Sequence, residues 1–351
     1  MSSDKASPSP SVQAGSPVQT IFKLTCGYWI SQSLYTATKL GVADLIAKDG
    51  PQTAEQLAAA CGAHAPSLYR LLRALASVGV FVEDRADDGA RRFDLNPAAE
   101  CLLDRPGSQR AMVLMMGEEH YQVYGKLMYS VQTGKPAFDH LFGEPVFQYL
   151  SKHAESATLF DAAMTGIHGA ETAAMIDAYD FSGLGTVVDI GGGNGTVIRT
   201  VLEKYPAMQG VLYDMPHVVE RAAPALAASG VGGRCRTVGG NFFESVPPGG
   251  DAYLMRHIIH DWTDEQCRTI LANCARAMKP EAKLLVIDAV IKPGNEPQFS
   301  KFLDITMLTI PGGKERTAEE FQNLFASAGF ELAQIVPTKS EVSIVEGRLK
   351  G

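Results

Sequence analysis

The stretch "VVDIGGGNGTVIRTVLEKYP", Val187 to Pro206, decides the fold. "GTVVDIGG" reads as a buried strand running into a glycine turn, and "NGTVIRTVLEKYP" reads as the helix that follows. The same alternation repeats downstream. "MQGVLYDMP" is a strand, "HVVERAAPALAASG" a helix, "RCRTVGG" and "DAYLMRH" further strands, and "AKLLVIDAVI" another. Between the last two, "TDEQCRTILANCARAMKP" is a helix opened by a Thr263/Gln266 capping box. "FSKFLDITMLTI" and "TAEEFQNLFASAGF" read as helices, and two short strands finish the chain. Repeated strand–helix units imply a parallel sheet covered on both faces, so residues 181–351 are expected to form a doubly wound, Rossmann-like α/β domain.

Upstream the pattern is helical. Over residues 19–110, Thr53 and Gln56 form a capping box ahead of "QLAAACG", and "PSLYRLLRALASVG" follows after a short turn. Leu68, Leu71, Leu72 and Leu75 share one face of that helix, and Gly79 is placed to end it. "VFVED", "RADDGAR" and "RFDLNP" then read as strand, turn and strand, which makes the module a winged helix in an otherwise all-α domain. A winged helix invites a DNA-binding role, and charge argues against it. Residues 19–110 hold ten Lys and Arg against ten Asp and Glu, whereas DNA modules show a basic face. Packing or dimerisation is the expectation.

Residues 111–180 are helical and rich in Met and aromatic side chains, among them Met116, Phe160 and Met164. Most belong to a core, yet such side chains also line adaptable pockets for flat apolar ligands. Met116 and Phe160 are candidate substrate contacts. Residues 1–18, rich in Ser, Pro and Ala, read as a disordered tail. The net charge of −8 disfavours nucleic-acid and membrane-surface partners. The start lacks signal-peptide character, and no apolar run approaches the ~20 residues of a membrane span. Six cysteines without a C-x-x-C or zinc spacing suit a reducing cytoplasm.

The glycine turn carries a ligand signal. Asp189, Gly191, Gly193 and Gly195 stand at two-residue steps, and glycine lets backbone approach a ligand closely. The dinucleotide pattern fails, because Thr196 occupies its sixth position. A carboxylate inside the turn would repel a pyrophosphate and suits an ammonium group. Asp214, ending the second strand, is placed for a ribose diol. A ligand with an amino-acid head, a ribose and an adenine but no phosphate is S-adenosylmethionine.

"VVDIGGGNG", "LYDMPHV", "GGNFFESVPPGGDAYLMRHIIHDWTDEQC" and "GGKERTAEEF" together resemble the S-adenosylmethionine-dependent small-molecule O-methyltransferases, plant caffeic-acid-type and bacterial polyketide and phenazine tailoring enzymes. The likeness spans the chain after residue 19. It implies a class I methyltransferase domain and a homodimer whose N-terminal module contributes to the partner's substrate pocket. It also implies cofactor contacts at Asp189, Gly191, Gly193, Asp214, Met215, Asn241, Phe242, Arg256, Met164 and His168. Met307 and Ile310, ahead of "GGKERT", would wall the substrate. Trp262 either shields the adenine or anchors a helix start. No metal is implied.

"MRHIIHDW" offers two histidines. His257 sits against the strand end and reads as a satisfied packing residue. His260 and Asp261 fall in the loop beyond the strand's carboxyl end, where α/β sheets place ligands. By resemblance the general base is His260, with Glu315 and Asp288 beside it, although many relatives carry Glu where Asp288 stands. A base is wanted because a phenol titrates near ~10 and is about one part in a thousand ionised at pH 7. Methylation at carbon or nitrogen, and a ligand-responsive regulator using the winged helix, are the alternatives.

Overall fold

The computed structural model describes residues 16–351, and of residues 167–170 it describes the backbone alone. The expected tail therefore lies outside the described residues up to position 15. Its last two residues do not continue it. Pro17 opens a helix, Pro17–Thr25, because Ser16 and Gln19 form a reciprocal capping box. The chain divides into two compact units, Met1–Tyr121 with Thr158–Gly166, and Gln122–Ala157 with Ile167–Gly351. The 25-residue helix Ala154–Ala178 contributes to both, so residues 111–180 do not fall to one unit.

In the first unit the Thr53/Gln56 box caps the helix Ala54–Cys61, as its sequence dictates. The helix Ala65–Ser77 follows and buries Leu68, Leu72 and Leu75, leaving Leu71 half-buried. Each such leucine contributes roughly 1.5–3 kcal/mol of transfer free energy. They pack with Ile46, Leu57, Phe81 and Phe93. Gly79, at φ +88°, lies just past the helix end. Strands β1 (Val82–Arg85) and β2 (Arg91–Asp94) then pair antiparallel, so this unit is not purely helical. On the first two helices, Pro17–Thr25 and Gly27–Lys39, Ile21, Phe22, Leu24, Trp29 and Ile30 are exposed.

The second unit is built on an eight-stranded sheet. Its strands are β3 (Thr186–Ile190), β4 (Gln209–Asp214), β5 (Cys235–Gly239), β6 (Ala252–Arg256), β7 (Lys283–Ile291), β8 (Arg316–Thr317), β9 (Phe330–Pro337) and β10 (Val342–Leu349). The order is β5-β4-β3-β6-β7-β10-β9, with the short β8 paired to the end of β7. Strand residues alternate between two cores, as the period of two requires. Val187, Leu212, Leu254 and Leu285 join one core with the helices Thr196–Lys204 and Pro216–Ala228. Val188, Val211, Tyr253 and Val286 join the other with the helices Asp264–Ala277 and Ala318–Ser327.

The sheet is mixed rather than wholly parallel. β9 and β10 are eight residues each, not short, and both pairings of β10 are antiparallel. Four residues join them, too few for the crossover a parallel pair needs. In the interior of the sheet chain order reverses, β4 flanking β3 on one side and β6 on the other. That reversal opens a crevice beyond the carboxyl ends of β3 and β6.

Candidate active site

The glycine turn leaves β3 at this crevice. Gly191 holds φ +67°, and a Cβ there would lie 2.4 Å from the Ile258 side chain, so only glycine fits. Gly193 N–H donates to Asp214 Oδ2 at 2.9 Å, and Met215 N–H to Asp214 Oδ1 at 2.7 Å. Asp214 thus braces the turn and keeps lone pairs to spare, since each carboxylate oxygen accepts twice. The Met215 side chain stands exposed beside it.

Asp189 is the sharper feature. It is buried, and its Oδ2 has no hydrogen-bond partner among the described residues. Burial pushes its carboxyl up to about 7, against the opposing charge of Arg256. Arg256 in turn donates to Thr172 Oγ1 at 2.7 Å. An orphaned buried carboxylate oxygen at a glycine turn fits a ligand that brings an ammonium group. Asn241 and Phe242 follow β5. Asn241 Oδ1 accepts from Phe243 N–H at 3.0 Å, and the Phe242 ring sits 5.9 Å from Trp262, edge on. Trp262 also meets Phe147 and Phe243, at 5.6 and 4.8 Å.

The two histidines come from the loop after β6. His260 lies on the short 3-10 turn Ile259–Asp261, buried, with Nδ1 2.7 Å from Glu315 Oε1. Its Nε2 lies 3.6 Å from Asp261 Oδ1. Burial pulls the imidazole down, and the charges of Asp261, Asp288 and Glu315 outweigh it, lifting His260 to about 10. Asp288, on β7, is wholly buried, and neither of its oxygens has a hydrogen-bond partner among the described residues. Burial and the nearby Glu315 raise it.

His257 is partly buried against the strand end and bonded through one ring nitrogen, in keeping with the expectation of a satisfied histidine. Its backbone holds φ +54°, a strained region for a side chain of this kind. Nε2 lies 2.9 Å from Glu171 Oε2, and Nδ1 faces Asp288 Oδ1 at 3.8 Å. Burial, then the charges of His260 and Arg256, hold its pKa well below the ordinary value. The two imidazole centroids are 5.0 Å apart.

The loop is held by the segment that supplies Glu315. Arg316, completely buried, donates to Ile259 O at 2.9 Å and Trp262 O at 3.2 Å, bracketing His260 and Asp261. It also pairs with Asp264 at 2.8 Å. A Cβ at Gly313 would fall 1.9 Å from His260 O, so the two backbones touch there. Glu315 N–H is fixed by Asp304 Oδ1 at 2.9 Å. Arg316→Leu removes the charged donor from both carbonyls, leaving Ile259 O the Trp262 N–H and Cys267 thiol and Trp262 O the Cys267 thiol, at ~1–3 kcal/mol for each bond lost. Urea unfolding of that variant is expected to show a loss of about 3 kcal/mol. A loss below ~1 kcal/mol would mean that Arg316 does not hold the loop.

Of the expected substrate contacts, Met307 and Ile310 lie on and just after the helix Ser300–Thr309, both largely buried. Ile310 packs with Val123, Phe138 and Val146. Met116, Phe160 and Met164 belong to the first unit, and the His168 side chain lies outside the described residues. Two residues escaped the sequence reading. Arg316 had a signal, adjacency to Glu315 in "GGKERT". Glu171 had none, since it lies 86 residues from His257.

Comparison with known proteins bears on the whole chain. Residues 124–331 match the model of the O-methyltransferase domain, and residues 22–105 that of the O-methyltransferase dimerisation domain. The phenazine O-methyltransferase PhzM of Lysobacter antibioticus is 46% identical over 329 residues, 93% of this chain and 95% of that one. The phenazine-1-carboxylate N-methyltransferase of Pseudomonas aeruginosa is 32% identical over 93% of this chain and 96% of its own. The crystal structure of LaPhzM superposes with a TM-score of 0.89 at 46% identity, covering 95% of this chain and all of that one. That of NcsB1 from neocarzinostatin biosynthesis, in complex with S-adenosylmethionine and 2-hydroxy-5-methyl naphthoic acid, reaches 0.79 at 32% identity over 91% and 96% of the two chains.

Proposed function

The chain belongs to the O-methyltransferase family that carries an N-terminal dimerisation domain, and from that footing we propose that it methylates a hydroxyl of an aromatic secondary metabolite, with His260 as general base. It is an S-adenosylmethionine-dependent small-molecule methyltransferase of secondary metabolism, in a family that uses no metal. The observation that carries the finer reading is the buried His260–Glu315 pair, 2.7 Å apart. Nδ1–H donates to the carboxylate, which fixes the tautomer and leaves Nε2 as the proton acceptor.

S-adenosylmethionine, when bound, supplies a methyl group already activated on a sulfonium. The chain supplies position and a proton acceptor. Asp189 would take the ammonium, Asp214 the ribose diol, and Met215, Asn241, Phe242 and Arg256 would border the rest; the Gly191–Gly193 backbone lets the ligand approach. Met164 and His168 stay assigned to the cofactor, and Met307 and Ile310 to the acceptor, on resemblance, and Met116 and Phe160 to the acceptor on the Met- and aromatic-rich composition of their segment. Alignment of hydroxyl, methyl and sulfur supplies much of the rate. Proton transfer from a phenol near ~10 to an unperturbed imidazole near ~6.5 is uphill by about 5 kcal/mol. Surrounding carboxylates that lift His260 to about 10 remove that gap, but the ring must shed its own proton before it can act, so transfer is expected to rise with pH toward about 10. Asp261 and Asp288 serve in this reading as the acids that stabilise the imidazolium.

The helix–turn–helix–hairpin of the first unit, with its exposed apolar first helices, supports a winged-helix module over residues 19–110 that dimerises the chain. Its even charge balance speaks against DNA. A cytoplasmic homodimer is the setting we infer; no helix among the described residues is long and apolar enough to cross a membrane. The N-methyltransferase relative makes a nitrogen acceptor the second reading. Labelled S-adenosylmethionine offered with polycyclic phenols, naphthoquinols and aromatic amines separates the two. Label is expected on phenolic oxygen. Label confined to amine or carbon acceptors would overturn the oxygen assignment.

A further inference from the structure

Around His257 and His260 four carboxylates converge, those of Glu171, Asp261, Asp288 and Glu315; the Arg256 guanidinium acts on His257 and Glu171, and that of Arg316 on Asp288. One ring nitrogen of each histidine and one Asp288 oxygen lie within 4.8 Å of one another. We propose that His257, His260 and Asp288 form a binding site for a divalent transition metal of the zinc class, and that its occupancy switches methyl transfer off.

Three observations carry this. Asp288 is fully buried, faces both histidines and has no hydrogen-bond partner among the described residues for either oxygen. His257 gives Nε2 to the Glu171 carboxylate and turns Nδ1 toward Asp288. That is the outer-carboxylate arrangement that fixes the ring and raises the basicity of metal-binding histidines. Two imidazoles and a carboxylate are the donor set of zinc, iron, cobalt and nickel, whereas magnesium and calcium prefer oxygen alone. The excess of buried acids supplies the field a dication relieves. Zinc ligands at ~2.0–2.1 Å lie about 3.4 Å apart across a tetrahedral angle, so atoms now within 4.8 Å of one another must close by up to about 1.4 Å. His257, at φ +54°, stands one residue past the end of β6.

The site is independent of the mechanism. Loss of activity rests on the reading of His260 as base, because an imidazole bound to a dication no longer takes a proton at neutral pH. The test uses the full chain freed of metal with EDTA. Zinc chloride binding is measured by competition with a chromophoric chelator, and methyl transfer is followed in parallel. One zinc per chain and loss of transfer are expected, both reversed by EDTA. His257→Asn, whose side chain tolerates positive φ, is expected to bind zinc at least ~100-fold more weakly. Glu171→Gln is expected to weaken binding ~10–100-fold. Absent binding, or equal binding by the wild type and His257→Asn, overturns the site. Thiolate charge-transfer bands with cobalt chloride overturn it too, since they place the metal on cysteine. Zinc bound with undiminished transfer overturns the switch, and the metal-free rate of His260→Ala tells that failure apart from failure of the base assignment.

Discussion

His260→Ala is expected to lower the rate of methyl transfer by ~10²–10⁴-fold, the range of a positioned general base, with affinity for S-adenosylmethionine unchanged. The imidazole is buried in the crevice and touches Glu315 rather than the glycine turn, so its removal leaves the cofactor cradle intact. The comparison is made at saturating cofactor and limiting phenol, with Kd for S-adenosylmethionine measured on both proteins by calorimetry. A parallel loss of cofactor affinity would show that the substitution had collapsed the crevice. Equal rates would show that the acceptor is acidic enough, or nitrogen- or carbon-centred, to need no base. Glu315→Gln probes the same pair more gently. The amide still accepts from Nδ1–H, so a smaller loss is expected than for His260→Ala.

Asp189→Asn is expected to weaken binding of both S-adenosylmethionine and S-adenosylhomocysteine by about 100-fold. The carboxylate Oδ2 is buried without a hydrogen-bond partner among the described residues. A ligand ammonium would turn that orphan into a charge-assisted bond, and truncating one partner of a buried charge pair costs ~2–5 kcal/mol. The amide keeps the shape and loses the charge. Stability supplies the control. Burial lifts the Asp189 carboxyl from 3.8 to about 7, so its folded pKa lies above the unfolded one. Its ionisation therefore costs the ligand-free protein stability as pH rises from about 4 through 7. The amide is free of that cost, and the variant should unfold no earlier than the wild type at neutral pH. Unchanged affinity for both ligands would remove Asp189 from the cofactor site.

Local chemistry made much of the fold legible. The Thr53/Gln56 and Thr263/Gln266 boxes start their helices as the sequence dictates, because a cap is settled by residues three apart. Reading stopped where pairing is long-range. The antiparallel β9–β10 edge depends on which strand β10 finds, and no local pattern states that β7 is its partner. The site divides in the same way. Asp189, the glycine turn and the "HDW" histidine stand in contiguous motifs, so the sequence singles them out as candidates. Glu171 was not, and neither was the tie of Arg316 to the backbone on both sides of His260.

By itself the sequence determined the strand–helix alternation, the glycine turn that suits a phosphate-free cofactor, and His260 as the histidine placed beyond a strand end. Those features follow from period, spacing and the conformational freedom of glycine, all properties of neighbouring residues. Tertiary structure alone decided that His257, read as packing, faces Asp288 and pairs with Glu171. It also decided that the buried acids outweigh the desolvation of His260 and lift it to about 10. The reason is that Coulomb energy and burial depend on distance in space, and β6, β7 and the segment ahead of β8 meet only when the sheet closes.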